Sequence, residues 1–169
     1  MKKVTLFFAL FSTILLSNCE SSSDEATPAI LNDITLKSGE SFGFCIGKCY
    51  KEITIKGSAV ELLVIERVGR TGVAHKDPIE TKYTDKLSAS DLQAIEKEIN
   101  LSKFTALNEV YGCPDCADGG AEWIEVLQKG DIKDKVTYEF GKDVAGIEGL
   151  TKILRAKREE MIKKYVKNE

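Results

Sequence analysis

Four of the five cysteines in this chain of 169 residues form two close pairs, and they are the residues best able to do chemistry. Cys45 and Cys49 form the first pair, and Cys113 and Cys116 form the second. An even number of cysteines in an exported chain favours disulfides, for which three pairings exist. Pro114 suits the second position of a β-turn across the second pair, a geometry that a disulfide tolerates. We therefore expect two local disulfides, of which the first requires the chain to turn between its cysteines.

Two other chemistries fit the same cysteines. Together they offer four thiolates, the ligand set of a structural zinc site, although three intervening residues are an unusual spacing for the first pair. Alternatively, Cys113 and Cys116 form a redox pair in which one thiol is activated. Such a pair normally precedes a helix, whereas here Ala-Asp-Gly-Gly and a predicted strand follow.

Carboxylates surround the second cysteine pair. They are Asp115, Asp118, Glu122 and Glu125. The calcium-binding loop of EF-hands does not fit them, because Pro114 and Cys116 fall where acidic ligands are needed. The only histidine, His75, lies in a polar segment, so a nucleophile–histidine relay would depend on it alone. We predict no catalytic set, metal or cofactor, and a binding surface at Asp115, Asp118 and Glu122.

The N-terminus has the features of a secretory leader. Two lysines precede the apolar run 4–16, which is shorter than the roughly 20 residues that span a bilayer. The run ends in Leu-Ser-Asn-Cys at residues 16–19, which resembles the lipobox of bacterial lipoproteins. The resemblance implies that Cys19 receives a diacylglyceryl group and becomes the new N-terminus. Asn18 departs from the pattern, which prefers a smaller residue there.

Polar and acidic residues follow the lipobox. Residues 20–28 contain no large apolar side chain, so they predict a flexible tether. Such short serine-rich and acidic runs resemble the surface-export signals of Bacteroidetes-type lipoproteins. We expect a signal peptide at 1–18, a lipidated tether at 19–32 and an envelope location, attached to the outer membrane and facing the periplasm or the cell surface.

The remaining residues, 33–169, predict a single α+β domain. Alternating apolar residues around Ile53 and Ile55 predict a half-buried strand, and the nearly continuous apolar run 59–68 predicts a central strand covered on both faces. Ser88, three residues before Asp91, predicts a capped helix start.

Two more strands and a helix are predicted after the cysteine loop. The strands cover 123–127 and 136–140, and Trp123 is expected to anchor the first of them to the core. An apolar stripe through Leu150, Leu154 and Met161 predicts the terminal helix. Short connections favour antiparallel pairing, so we predict two layers: a mainly antiparallel sheet covered by two helices on one face.

Charge excludes one class of partner and leaves another open. The net charge of −3 gives no basic surface for nucleic acid. Residues 151–169 carry seven Lys or Arg against three Glu. We interpret them as the solvated face of a packed helix, with contact to anionic lipid headgroups as the alternative.

Two segments resemble a known group of proteins. Residues 42–50 (Phe-Gly-Phe-Cys-Ile-Gly-Lys-Cys-Tyr) and 112–123 (Gly-Cys-Pro-Asp-Cys-Ala-Asp-Gly-Gly-Ala-Glu-Trp) resemble a family of bacterial lipoprotein domains with paired cysteines. The resemblance supports location and fold but implies no reaction. We expect a lipid-anchored, disulfide-clipped interaction domain that binds an envelope protein or a small ligand, with a thiol oxidoreductase and a zinc-stabilised module as the alternatives.

Replacing Cys19 by Ser removes the thiol that would be acylated. We expect the variant to leave the membrane fraction and to lose palmitate labelling, because acyl chains supply about 0.8 kcal/mol of membrane affinity per buried CH2 group. Fractionation and labelling of the producing cells measure both effects. A Cys19→Ser chain that still sediments with membranes and still carries palmitate would contradict lipidation.

Overall fold

The computed structural model describes residues 29–68, 77–129 and 131–166, and a seven-stranded sheet organises them. The strands are β1 (Ile34–Ser41), β2 (Gly47–Lys56), β3 (Ala59–Arg67), β4 (Ile79–Lys86), β5 (Val110–Tyr111), β6 (Ala121–Gln128) and β7 (Asp131–Glu139). Their order is β4-β3-β2-β1-β6-β7-β5. Short β5 runs parallel to β7, and the other neighbours are antiparallel. Cys19 and His75 lie outside the described residues.

Helices cover one face of the sheet, which we call the helix face. They are α1 (Ala29–Asp33), α2 (Ala89–Glu98), α3 (Leu101–Thr105) and α4 (Glu148–Tyr165). α4 packs across β1, β2 and β3, and α2 packs beside α4. α2 begins at the predicted cap: the Asp91 N–H donates to Ser88 Oγ, and the Ser88 N–H donates back to the Asp91 carboxylate.

A single apolar core lies between the sheet and the helices. Alternate residues of β1, β2 and β6 face the helices, because side chains alternate between the two faces of a strand, and the apolar ones among them form the core. The buried core residues include Leu36, Ile53, Ile55, Val60, Leu62, Leu92, Ile95, Ile124, Val126, Val136, Leu150, Leu154 and Met161. The predicted two-layer α+β architecture is confirmed.

The central strand is β1 and not β3, which corrects the prediction for residues 59–68. In the sheet β3 is second from the edge, and its burial alternates: Val60, Leu62 and Val64 are buried, whereas Leu63 and Ile65 are half-buried. The apolar run is nearly continuous because two of its outward residues, Leu63 and Ile65, are also apolar.

The folded domain also begins before the predicted boundary at residue 33. Helix α1 occupies part of the predicted tether, and its Leu31 is fully buried in the core. The Leu31 carbonyl accepts a hydrogen bond of 2.9 Å from the Gly57 N–H in the turn between β2 and β3. The chain therefore enters the domain at the end of the sheet where that turn lies.

Trp123 is buried on the second face of the sheet, opposite the helices, and not in the predicted core. It lies directly across from Gly39 of β1, where a Cβ atom would overlap the indole ring. Its Nε1–H donates to Glu52 Oε2 at 3.0 Å, and the Tyr50 hydroxyl donates to the same oxygen at 2.9 Å. Burial, followed by the nearby Glu52 carboxylate, raises the pKa of Tyr50 above its ordinary value.

Replacing Gly39 by Ala inserts a methyl group where the indole lies. We expect the free energy of unfolding to fall by about 1–3 kcal/mol, as for other overpacked sites. Urea denaturation with intact disulfides measures it. In a Trp123→Leu background the same change should cost less; equal costs in both backgrounds would show that the indole does not pack on Gly39.

Candidate interaction site at the disulfide-clipped end of the sheet

The turn between β1 and β2 carries the first disulfide. Cys45 is joined to Cys49, with their Cα atoms 5.7 Å apart, a distance within the range that disulfides span. Cys49 belongs to β2 and is fully buried. The chain reverses between the two cysteines at Gly47, whose φ of 94° is left-handed backbone that glycine adopts without a steric penalty. The turn that this pairing requires is therefore present.

The second disulfide closes a short turn in the loop from β5 to β6. The Cα atoms of Cys113 and Cys116 are 5.5 Å apart. The Cys116 N–H donates to the Cys113 carbonyl at 3.1 Å, which is the hydrogen bond of a β-turn with Pro114 at its second position. The structure thus pairs the cysteines locally, as the spacing favoured.

The two disulfide-closed segments contact each other. The Gly43 N–H, in the first segment, donates to Asp115 Oδ1, in the second, at 3.0 Å. From the end of β3, the Arg67 guanidinium donates to the carbonyl oxygens of Phe42 at 3.2 Å and Gly43 at 2.7 Å. The Phe42 ring packs on Phe140, which follows β7, with 4.9 Å between ring centroids. Three segments distant in sequence therefore hold the first turn in place.

This part of the molecule, residues 42–49, 112–120 and 140–143, is called the clipped end below. It exposes two large apolar side chains in the first turn: 77% of Phe44 and 64% of Ile46 are accessible to solvent. Both lie next to Cys45 in sequence, so the disulfide restricts the backbone that carries them. The pair Phe44 and Ile46 is called the apolar tip.

The three carboxylates predicted as a binding surface separate in the structure. Asp118 is exposed, and Asp115 is half-buried with its carboxylate occupied by the Gly43 N–H. The prediction is wrong for Glu122, because its side chain has no exposed surface. It is the second residue of β6 and points toward α4, so a ligand at the surface would reach only the two aspartates.

Two arginines of α4 hold Glu122. Arg155 Nε lies 3.1 Å from Oε1 and 3.0 Å from Oε2, and its Nη2 donates to Oε2 at 2.7 Å. Arg158 Nη2 donates to Oε1, and the Gly141 N–H donates to Oε2 at 3.0 Å. Forked contacts between a guanidinium and a carboxylate are among the strongest hydrogen bonds in proteins. The carboxylate therefore ties α4 to β6 and to the chain just after β7.

Arg158 extends the same network to β1. Its Nε donates to Glu40 Oε2 at 3.2 Å, and its Nη1 donates to Ser38 Oγ at 3.0 Å. Glu40 also accepts from Lys51 Nζ of β2 at 2.8 Å. Arg158 is fully buried, so the charges of Glu40 and Glu122 must compensate its lost hydration.

The network also shifts protonation equilibria around it. Burial, and next the Glu122 carboxylate, raises the pKa of Tyr138 above its ordinary value. The hydrogen bond to Glu122 raises the pKa of Arg155. Burial opposes ionisation of Asp143, but hydrogen bonds from Arg155 and Lys152 outweigh it and hold the pKa of Asp143 below its ordinary value. The Tyr138 phenol therefore stays neutral, and Arg155 and Asp143 stay charged, at neutral pH.

The burial of Arg158 and of Glu122 was not predicted from the sequence, although the spacing of the apolar residues around each of them indicates it. Arg158 follows Leu154 by four residues and precedes Met161 by three, so it falls within the apolar stripe of the helix. Glu122 alternates in phase with Ile124, so it faces the core. The prediction of a solvated basic face is wrong for Arg158, which is 0% exposed.

The geometry also bears on the two other chemistries of the cysteines. All four sulfur atoms are in disulfides, so they offer no thiolate to zinc in this state. Within the three described ranges, no group of three or more His, Cys, Asp or Glu could hold a metal ion. A single 3-10 turn (Cys116–Asp118) and then β6 follow the second pair, in place of an α-helix whose N-terminus would activate a thiol.

Comparison with known proteins gives no match: no family model, no curated protein and no solved structure matches this chain. In the part of the chain that the structure describes, no helix has the length and apolar character needed to cross a membrane.

Replacing Glu122 by Gln removes the charge that balances Arg155 and Arg158 while keeping the side-chain shape. We expect the free energy of unfolding to fall by about 3–5 kcal/mol, the usual cost of leaving a buried charge without its partner. Urea denaturation followed by Trp123 fluorescence measures the loss.

Glu61→Gln is the matched control. Glu61 pairs with Lys82 across β3 and β4 at 2.9 Å, but the two side chains are 37% and 57% exposed. Such exposed pairs contribute about 0–1 kcal/mol. Similar losses in Glu61→Gln and Glu122→Gln would contradict the structural importance of the buried network.

Proposed function

We propose that the protein is a lipid-anchored lipoprotein of the bacterial cell envelope whose clipped end binds another envelope protein. The observation that carries the proposal is the apolar tip: Phe44 and Ile46 are 77% and 64% exposed although their backbone is held by a disulfide. Full burial of such a side chain contributes about 1.5–3 kcal/mol of favourable free energy, and the isolated domain lacks this contribution at both positions. A partner that covers the tip would recover it.

The backbone of the apolar tip is already ordered in the unbound domain. Arg67 and Asp115 hydrogen-bond the backbone just before Phe44, and the disulfide closes the turn just after it. Binding therefore has little backbone entropy left to remove, and a pre-ordered surface binds more tightly than a flexible one of equal area.

The shape of the tip favours a protein partner over a small ligand. Small molecules are bound in concave pockets of roughly 300–1,000 Å³, whereas Phe44 and Ile46 project from a turn. A cleft of about 260 Å³ lies elsewhere, near the turn between β2 and β3, and its lining includes Thr54, Lys56 and Asp85. It is smaller than typical ligand pockets, and it lies at the other end of the strands.

The point at which the chain enters the domain supports a partner away from the anchoring membrane. The chain enters the domain through α1 at the start of β1, whereas the tip follows the end of β1. β1 has eight residues, which separate the two ends of the sheet by about 26 Å. A domain attached through its N-terminus would therefore present the apolar tip on the side far from its lipid anchor.

The small size of the tip favours insertion into a pocket over self-association. A stable homodimer normally buries about 800 Å² on each partner. Phe44 and Ile46, together with Phe140, which is 41% exposed, offer much less, because even a fully buried aromatic residue covers only about 150–250 Å². A few apolar side chains that enter a pocket can nevertheless dominate binding energy.

Site-specific photo-crosslinking in the producing cells tests the proposal. With p-benzoylphenylalanine in place of Phe44, we expect one discrete adduct that contains this chain and a second protein. Changing Ile46 to Ser in the same chain should reduce that adduct at least fivefold, because the tip then loses one of its two apolar side chains.

The matched control places the same photo-reactive residue at Ile79, which is 53% exposed at the start of the edge strand β4. The discrete adduct should be absent there. Identical adducts at both positions would show unspecific contact, and adducts at residue 44 with lipid alone or with a second copy of the chain would overturn the choice of a protein partner.

A further inference from the structure

The two disulfides differ in their accessibility to a reducing agent. Cys113 and Cys116 are both exposed, whereas Cys49 is fully buried and Cys45 is half-buried. Reduction begins when a thiolate attacks one sulfur and expels the other. For the first pair, attack at Cys49 is blocked, and attack at Cys45 would release a thiolate inside the domain, where the charge is poorly solvated. The second pair is therefore the one open to thiol exchange.

The backbone around the second disulfide is strained. Asp115, Ala117 and Asp118 have φ angles of 59°, 51° and 60°, in the left-handed region. A Cβ atom makes this region unfavourable, because it approaches the following carbonyl oxygen. Three such residues within four positions persist only where the surroundings enforce them, and the turn closed by the disulfide is part of those surroundings.

The strained loop is connected to the apolar tip through one carboxylate. Asp115 lies inside the second disulfide turn, and its Oδ1 accepts the N–H of Gly43, the residue before Phe44. The fit is close, since a Cβ atom at Gly43 would overlap the Asp115 carboxylate. A change in the conformation of Asp115 therefore has to remove a contact from the backbone of the tip.

We propose that the Cys113–Cys116 disulfide is a redox control on the apolar tip. Its opening lets Asp115 leave the left-handed conformation and release the Gly43 N–H, so the turn that carries Phe44 loosens and binds its partner less tightly. This inference rests on the proposed function of the tip, whose regulation it describes. The Cys45–Cys49 disulfide stays closed throughout.

The reductant is a dithiol protein or small dithiol. One of its thiolates attacks a sulfur of the pair and forms a mixed disulfide, and its second thiol then closes its own disulfide. The reductant is thereby oxidised by two electrons, and Cys113 and Cys116 end as two thiols that have taken up two protons. Reoxidation by a disulfide reverses the exchange.

Differential reduction of the exported, full-length protein is the first test. Dithiothreitol is added for increasing times, free thiols are blocked with an alkylating reagent, and the labelled peptides are quantified by mass spectrometry. We expect label at Cys113 and Cys116 at least tenfold faster than at Cys45 and Cys49. Equal rates, or earlier opening of the first pair, would overturn the proposal.

Hydrogen exchange over residues 42–48 is the second test and requires no partner. After selective reduction we expect the Gly43 amide to exchange at least fivefold faster than in the oxidised protein. The Asp115→Ala variant should show the same acceleration with both disulfides intact, whereas Asp115→Asn, which keeps an oxygen acceptor, should change it little. If the Gly43 amide exchanges at the same rate after reduction, the proposed redox control is wrong. This outcome would not affect the photo-crosslink at residue 44, which tests the proposed function separately.

Discussion

The buried carboxylate of Glu122 is the interaction on which the rest of the domain depends. A charge without solvent is costly, so its position is stable only while Arg155, Arg158 and the Gly141 amide all remain in contact with it. Because the arginines belong to α4 and the carboxylate belongs to β6, the helix cannot shift along the sheet without breaking these contacts. Apolar packing alone would tolerate such a shift more easily, since it has no direction.

The same network supports the clipped end through contacts with residues 140–142. The Gly141 amide is bound by Glu122, the adjacent Phe140 ring packs on Phe42, and Phe42 begins the turn that carries the exposed tip. The Arg155 guanidinium also donates to the Lys142 carbonyl in the same stretch of chain. A chain of short contacts thus connects the buried ion pairs to the surface turn. These contacts explain how a turn with few buried side chains of its own can hold a single conformation.

Local features could be predicted from the sequence, whereas features that depend on distant partners could not. The alternation of apolar and polar residues around Ile53 and the cap of α2 at Ser88 each involve residues only a few positions apart, and both were predicted correctly. The two-layer architecture and the β-turn of the second cysteine pair were also predicted correctly. The inward position of Glu122 depends on Arg158, which is 36 residues away, and neither a buried charge nor its partner is expected from composition. The central place of β1 likewise depends on pairing with β6, far along the chain.

That central place of β1 sets a condition on the order of folding. When the N-terminal part of the chain is available first, β1 to β4 can pair as a meander of neighbouring strands, but the second edge of β1 must wait for β6, 80 or more positions later. Long-range pairing of this kind slows folding and leaves an unpaired strand edge exposed in the interval. The two disulfides escape this delay, since each joins cysteines three or four positions apart and can close before the sheet is complete.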